Sequence, residues 1–160
     1  MKVLAVVHSH TGNTLYVVNR LIEKIKTGET QVEIEKLEPV GGENTREMNL
    51  NKIKLLRKFN PSDFDTLILA CPVRGFSMSS VLKAYMAMSE SFNGKKVVCL
   101  VTHYFPFAWM GGTRAIRQMV EEVQSLGGEV IGTGIISWKV GGRESKIEKV
   151  TNALSQKLVR

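Results

Sequence analysis

The chain has only two cysteines, Cys71 and Cys99, in 160 residues. Neither belongs to a Cys-x-x-Cys pair or has a histidine at metal-ligand spacing, so a zinc ribbon and a disulfide scaffold are both excluded and no metal site is expected. Both lie in or at the end of apolar runs and read as reduced, core-associated thiols. Long hydrophobic stretches are missing as well. No run approaches the ~18 residues of a membrane helix, and the N-terminus enters a strand-like run after one lysine, without signal-peptide architecture. A cytoplasmic, membrane-free protein is expected. Repeats, low-complexity tracts and linkers are absent, so residues 1–160 are expected to form one domain with a real core.

Acidic residues are the scarcer charge, 15 against 22 lysines and arginines, for a net charge of +7. Such a balance favours anionic ligands or acidic partners. The basic residues (Lys24, Lys26, Arg57, Lys58, Lys95, Lys96) are scattered rather than massed, which reads as a solvated surface and not a nucleic-acid groove. Several loop signatures are also missing. Without G-x-x-x-x-G-K-[ST] there is no NTPase phosphate loop, and the lack of G-x-G-x-x-G weakens a dinucleotide site.

Five short apolar runs are present, each followed by a helical pattern. The run 3–7 is followed by Leu15, Val18, Leu21, Ile22 and Ile25 at helical spacing, ending near Thr27-Gly28. The run 31–37 alternates and predicts an edge strand, whereas 66–70 and 95–102 are continuous and predict strands buried on both faces. After 66–70, Ser77 or Ser79 offers an N-cap to an apolar helix. Ile116 to Leu126 marks a helix closed by Gly127-Gly128, 129–136 a last strand, and Ile147 to Leu158 a last helix. Between Pro39 and Pro61 the segment "NKIKLLRKF" (51–59) suggests a short helix. This alternation predicts an α/β fold: a doubly wound, five-stranded parallel sheet of order 2-1-3-4-5 with helices on both faces. Ligands of such sheets bind at the carboxyl ends of the strands, where strands 1 and 3 diverge.

Three loops lie at that edge. "HSHTGNT" (8–14) opens a helix, whose N-terminus favours an anion. A capped turn needs only Asn13 or Thr14. Ser9, Thr11 and Thr14 around Gly12 exceed that need and point to a single phosphate held by neutral donors. The loop has no carboxylate, which excludes a phospho-acceptor receiver. In "CPVRGFSMSS" (71–80), Arg74 sits too close to Cys71 for a cysteine phosphatase, and Ser77 occupies the sixth place after it. The bend carrying Arg74 and Phe76 suits a planar ligand. "THYFPFAWMGGT" (102–113) holds Tyr104, Phe105, Phe107 and Trp109, four of the chain's eleven aromatics. They suit a wall for a flat ring or a homo-oligomer contact.

"SHTGNT" resembles the [ST]-x-[ST]-G-x-T phosphate loop of the flavodoxin-like family of FMN-binding proteins, and "CPVRGFSMSSVLKAYM" is similar to the P-V-x-x-x-x-M-S-x-x-L-K stretch of flavodoxin-related reductases. The resemblance extends over the whole chain. It implies that FMN is the cofactor and that Ser9, His10, Thr11, Gly12, Asn13 and Thr14 cradle its phosphate. It further implies that Pro72, Val73, Arg74, Gly75 and Phe76 meet the ring and that Thr102, His103, Tyr104 and Phe105 meet its pyrimidine side. Trp109 then belongs to the aromatic wall, and Gly111 and Gly112 shape the return. The chain departs from acidic flavodoxins in being basic, and 129–136 carries no insertion. The implied function is a flavoprotein oxidoreductase passing electrons from NAD(P)H or a protein to an acceptor such as a quinone. Two alternatives are a non-catalytic carrier serving an acidic redox protein and a domain that has lost the cofactor. No residue is expected as general acid or base; His8, His10 and His103 read as structural or phosphate-contacting.

Overall fold

The computed structural model describes residues 1–42, 49–139 and 141–160. Six strands and four α-helices follow one another: β1 (Lys2–Val7), α1 (Asn13–Ile25), β2 (Gln31–Lys36), β3 (Thr66–Arg74), β4 (Ser77–Met78), α2 (Ser80–Ala87), β5 (Lys96–His103), α3 (Gly112–Ser125), β6 (Glu129–Ser137) and α4 (Arg143–Leu158). The sheet order is β2-β1-β3-β5-β6, with β4 paired to β3 off that path. Counting the main strands, this is the expected order, and all four main pairings are parallel.

Why a sheet forms between two helical layers follows from the pleat. β1 and β3 are apolar at almost every position, but successive side chains leave opposite faces. Leu4, Val6, Leu67, Leu69 and Cys71 enter the core beneath α2 and α3. Val3, Ala5, Val7, Ile68 and Ala70 enter the other, beneath α1 and α4. Continuous apolar runs are therefore needed, which is why the parallel strands were visible in the sequence. Among the described residues no helix is long and apolar enough to cross a membrane.

Two departures from expectation matter. Strand β3 continues past residue 70 as far as Arg74, then turns back into β4. What the sequence suggested as an exposed bend is a short hairpin. The 51–59 segment is not an α-helix either: only Leu50–Lys52 forms a 3-10 turn, and Leu55 bridges Pro39. Its burial alternates, with Leu55 inside and Leu56 exposed, the period of an extended chain.

Glu35 fastens this segment. On the otherwise solvated edge strand β2 it is buried, and its Oε1 accepts hydrogen bonds from the backbone N–H of Lys58 (2.6 Å) and Phe59 (3.2 Å). Nearby, the fully buried Tyr85 hydroxyl has no hydrogen-bond partner among the described residues, and burial pushes its pKa up. The two side chains should behave oppositely in urea denaturation. Glu35→Ala strands two amides and should cost about 2 kcal/mol, whereas Tyr85→Phe removes an unsatisfied group and should cost less than ~0.5 kcal/mol or stabilise. Equal losses would contradict this account of both groups.

Candidate functional site

The β1–α1 connection brings the chain to the carboxyl edge of the sheet and turns it into α1 through Gly12. Its φ of +92° is the left-handed conformation that glycine adopts without a Cβ penalty, and the N-cap position itself supplies no side-chain hydrogen bond. Neither Asn13 nor Thr14 acts as the cap expected of them. Ser9 Oγ instead accepts from the Leu15 N–H at 3.3 Å. As an acceptor there, it keeps its own proton for a ligand. Thr14 lies underneath, its hydroxyl sharing a 2.8 Å hydrogen bond with that of Thr102 at the end of β5. Asn13 reaches across to donate to the Tyr104 hydroxyl at 3.2 Å. A helix start with one amide taken by Ser9 and its other first-turn amides left to a ligand, above a hydroxyl floor, is an arrangement for a small anion.

Below the edge, His8 Nδ1 and Ser79 Oγ share a 2.9 Å hydrogen bond, and Ser79 also caps α2 by accepting from the Leu82 N–H at 3.2 Å. Both are buried. Cys71 beside them is fully buried, and desolvation lifts its thiol to about 11. This rules it out as a nucleophile at neutral pH. His8, Ser79 and Cys71 are scaffold.

The β3–β4 hairpin has a two-residue turn, Gly75-Phe76, with φ of +54° and +61°. Positive φ at both central positions is the type I′ pattern that matches strand twist. For Phe76 it costs roughly 1–2 kcal/mol, a strain of the kind found at ligand sites. It presents the Phe76 ring parallel to that of Phe105, with centroids 5.4 Å apart and planes inclined by 12°. Both rings are about half exposed. Phe105 itself is fastened through its carbonyl, which accepts from Ser137 Oγ at 2.6 Å. Phe107 and Trp109 form a second parallel pair further out, 5.9 Å apart.

Gly111 and Gly112 bring the start of α3 against this loop. A Cβ on Gly111, where φ is +107°, would lie 2.9 Å from both Phe76 Cα and Val73 Cγ1. A Cβ on Gly112 would meet Ile135 Cγ2 at 2.8 Å and the His103 ring. His103 is buried, and desolvation lowers its pKa despite an opposing backbone contact with Phe105.

Between these loops lies a cavity of about 250 Å³. It gathers His10, Thr11, Asn13 and Thr14 of the first loop, Pro72–Arg74 of the second and Thr102–Tyr104 of the third. The remaining sequence candidates stand around it. Ser9 and Gly12 shape the helix start, Gly75 and Phe76 form the hairpin, Phe105 stacks on Phe76, and Gly111 and Gly112 set the spacing. Trp109 is 74% exposed and stacks on Phe107 outside the cavity. One wall was missed. Trp138 follows β6 and lines the cavity, held edge-on by Tyr16 (centroids 6.1 Å apart) and covered by the Arg143 guanidinium, 4.5 Å from its ring centroid. The rule that pointed to the ends of β1, β3 and β5 applies equally to β6.

No family model and no curated protein sequence matches the chain. Solved structures do match in fold. A flavodoxin of Streptococcus pneumonia TIGR4 superposes with a TM-score of 0.70 at 16% identity, covering 99% of this chain and 98% of its own. A flavoprotein from Lactobacillus acidophilus NCFM, solved in complex with FMN, gives 0.63 at 16% identity, over 94% of this chain and 98% of that one. The Trp repressor binding protein of Bacillus subtilis gives 0.65 at 14% identity, with 100% of each chain covered. The chain has the flavodoxin-like fold.

Two of the glycines with left-handed φ that frame the site, Gly12 and Gly111, should respond differently to alanine. At Gly12 the space around a Cβ is open, so Gly12→Ala should cost only the backbone strain, about 1 kcal/mol. At Gly111 the added carbon meets the hairpin backbone, and Gly111→Ala should cost at least ~2 kcal/mol more. Chemical denaturation of the two variants checks this; equal losses would mean that the contact with Phe76 and Val73 is slack.

Proposed function

We propose that the chain binds FMN at the carboxyl edge of its sheet and works as an FMN-dependent oxidoreductase. The observation that carries this reading is the loop 9–14, which has no carboxylate and opens a helix through a glycine N-cap, walling the same cavity as Pro72–Arg74 and Thr102–Tyr104. Ser9, Thr11 and the first-turn amides of α1 suit one phosphate monoester, and the half-exposed Phe76 and Phe105 rings, next in sequence to lining residues, suit a planar ring system. The likeness in fold to a flavoprotein in complex with FMN supports the same reading.

FMN, when bound, supplies one- and two-electron redox chemistry. The chain's own residues then have definite tasks. The neutral donors of loop 9–14 would stabilise the phosphate by hydrogen bonding, with His10 and Asn13 beside it. Pro72 to Phe76 and Thr102 to Phe105 orient the ring, while Trp138 excludes water from the far wall. Arg74 lines the cavity beside them, and its charge favours the negative charge that reduction places on a cofactor nearby. A less reducing flavoprotein suits exchange with NAD(P)H and a quinone. The exposed Phe107 and Trp109 support the second reading, a carrier that docks on an acidic redox protein.

Titration of the purified chain with FMN should give saturable quenching of flavin fluorescence, and Thr11→Ala should weaken binding about tenfold through loss of a phosphate-directed donor. Unchanged affinity in the variant, or no uptake by the parent, would defeat the reading. Arg74→Ala should lower the midpoint potential by roughly 40 mV, the equivalent of about 1 kcal/mol for one electron at a half-buried site. Steady-state NAD(P)H oxidation with a quinone acceptor separates the enzyme from the carrier.

A further inference from the structure

We propose a second small-molecule site, for an organic anion with a ring-sized apolar body, in the cavity between the end of β6, the first turns of α4 and the loop after β5. Its volume is about 560 Å³, against about 250 Å³ for the cavity described above. That lies within the range of small-ligand sites. The inference does not rest on FMN being bound.

The chemistry of the lining is graded. Ile135, Val150 and Pro106 are its apolar part, and Arg143 and Lys146 its cationic part. Both cations belong to the first turns of α4, a 16-residue helix capped by Gly142 with no side-chain hydrogen bond, so its terminal amides add partial positive charge. The acid that would neutralise them is engaged elsewhere. Glu144 accepts from the Tyr16 hydroxyl at 3.1 and 3.2 Å and pairs with Arg20 at 3.8 Å, towards α1. Arg143 is held in position by its 2.9 Å hydrogen bond from Nη1 to the Trp138 carbonyl and by its place over the Trp138 ring. Its Nε is buried without a hydrogen-bond partner among the described residues. A guanidinium fixed in this way loses little freedom when it takes an anion.

A second, independent observation comes from His103. It is 95% buried, being 5% exposed, lines this cavity, and its Nδ1 makes no hydrogen bond among the described residues. A small movement of the side chains that cover it would open that nitrogen to an occupant of the cavity. The volume and the apolar walls suit more than inorganic phosphate: a carboxylate or sulfonate on one or two rings fills both parts. His103 also lines the smaller cavity, and Trp138 there stacks against Arg143 here. The occupant therefore lies one side chain away from the proposed cofactor.

The probe is 2-naphthoate, titrated by calorimetry and by amide chemical shifts into the full chain, both without FMN and saturated with it. Saturable binding is expected in both states, with shifts concentrated at residues 133–137 and 141–147. The neutral isostere 2-naphthamide and inorganic phosphate should each bind at least ~10-fold more weakly, and Lys146→Glu should weaken naphthoate about tenfold while leaving FMN uptake unchanged. Lys146 is exposed, so the variant should fold. Four results would each overturn the proposal: no saturation at millimolar naphthoate, equal affinity for the amide, displacement by FMN, or indifference to Lys146→Glu. Failure of FMN uptake alone would defeat the cofactor reading and leave this test intact in the unliganded chain.

Discussion

The carboxyl edge of this molecule depends on how closely the start of α3 approaches the β3–β4 hairpin. With no side chain at residue 111, α3 rests on the backbone of Phe76 and the side chain of Val73. That contact fixes the hairpin, which fixes the Phe76 ring, which in turn sets where Phe105 can lie. Gly112 repeats the close approach on the other side, against β6 and His103. Two adjacent residues without side chains thus determine the separation of three loops, and the cavity between the loops takes its width from them.

Charge is distributed along the same edge with a consistent sign. The connections after β1, β3, β5 and β6 (8–12, 75–76, 104–111 and 138–142) contain no aspartate or glutamate. Arg74, Arg143 and Lys146 stand near them, whereas the acids of α4 are turned towards α1. A potential of one sign over a low-dielectric cleft raises the local concentration of anions and speeds their encounter. Both cavities open within this field, so whatever each holds arrives under the same attraction.

Much of this was legible in the sequence because it depends on local patterns. Continuous valine and leucine runs marked the buried parallel strands, and helical spacing marked α1, α3 and α4. The strand-to-helix turn at 8–14 was readable because it lies between an apolar run and a helical pattern, with a glycine at the turn. The failures share a cause. Residues 51–59 carry apolar side chains at spacings that fit a helix or an extended strand, and the choice fell to Glu35, a distant residue that takes the amides of Lys58 and Phe59. Trp138 becomes part of the site only through Tyr16 and Arg143, which are remote or inconspicuous in sequence. Asn13 looked like a cap, but Gly12 in the left-handed conformation occupies that place. Local chemistry was visible, and long-range partnership was not.

The bridge between α1 and α4 has a consequence for how the chain is made. Glu148 takes Lys24 at 2.7 Å and Arg20 at 3.0 Å, and Lys24 also donates to Asn152 at 2.8 Å. The side chains of Ile147, Leu154 and Leu158 share one core with those of Val17, Val18 and Leu21. During synthesis α1 leaves the ribosome early and α4 more than a hundred residues later. Until then the apolar flank of α1 has only the sheet to rest on, and Trp138 has no guanidinium above it. The loop that leads into α1 is therefore translated well before the helix that secures it. A nascent chain stalled before α4 would expose that flank to other proteins.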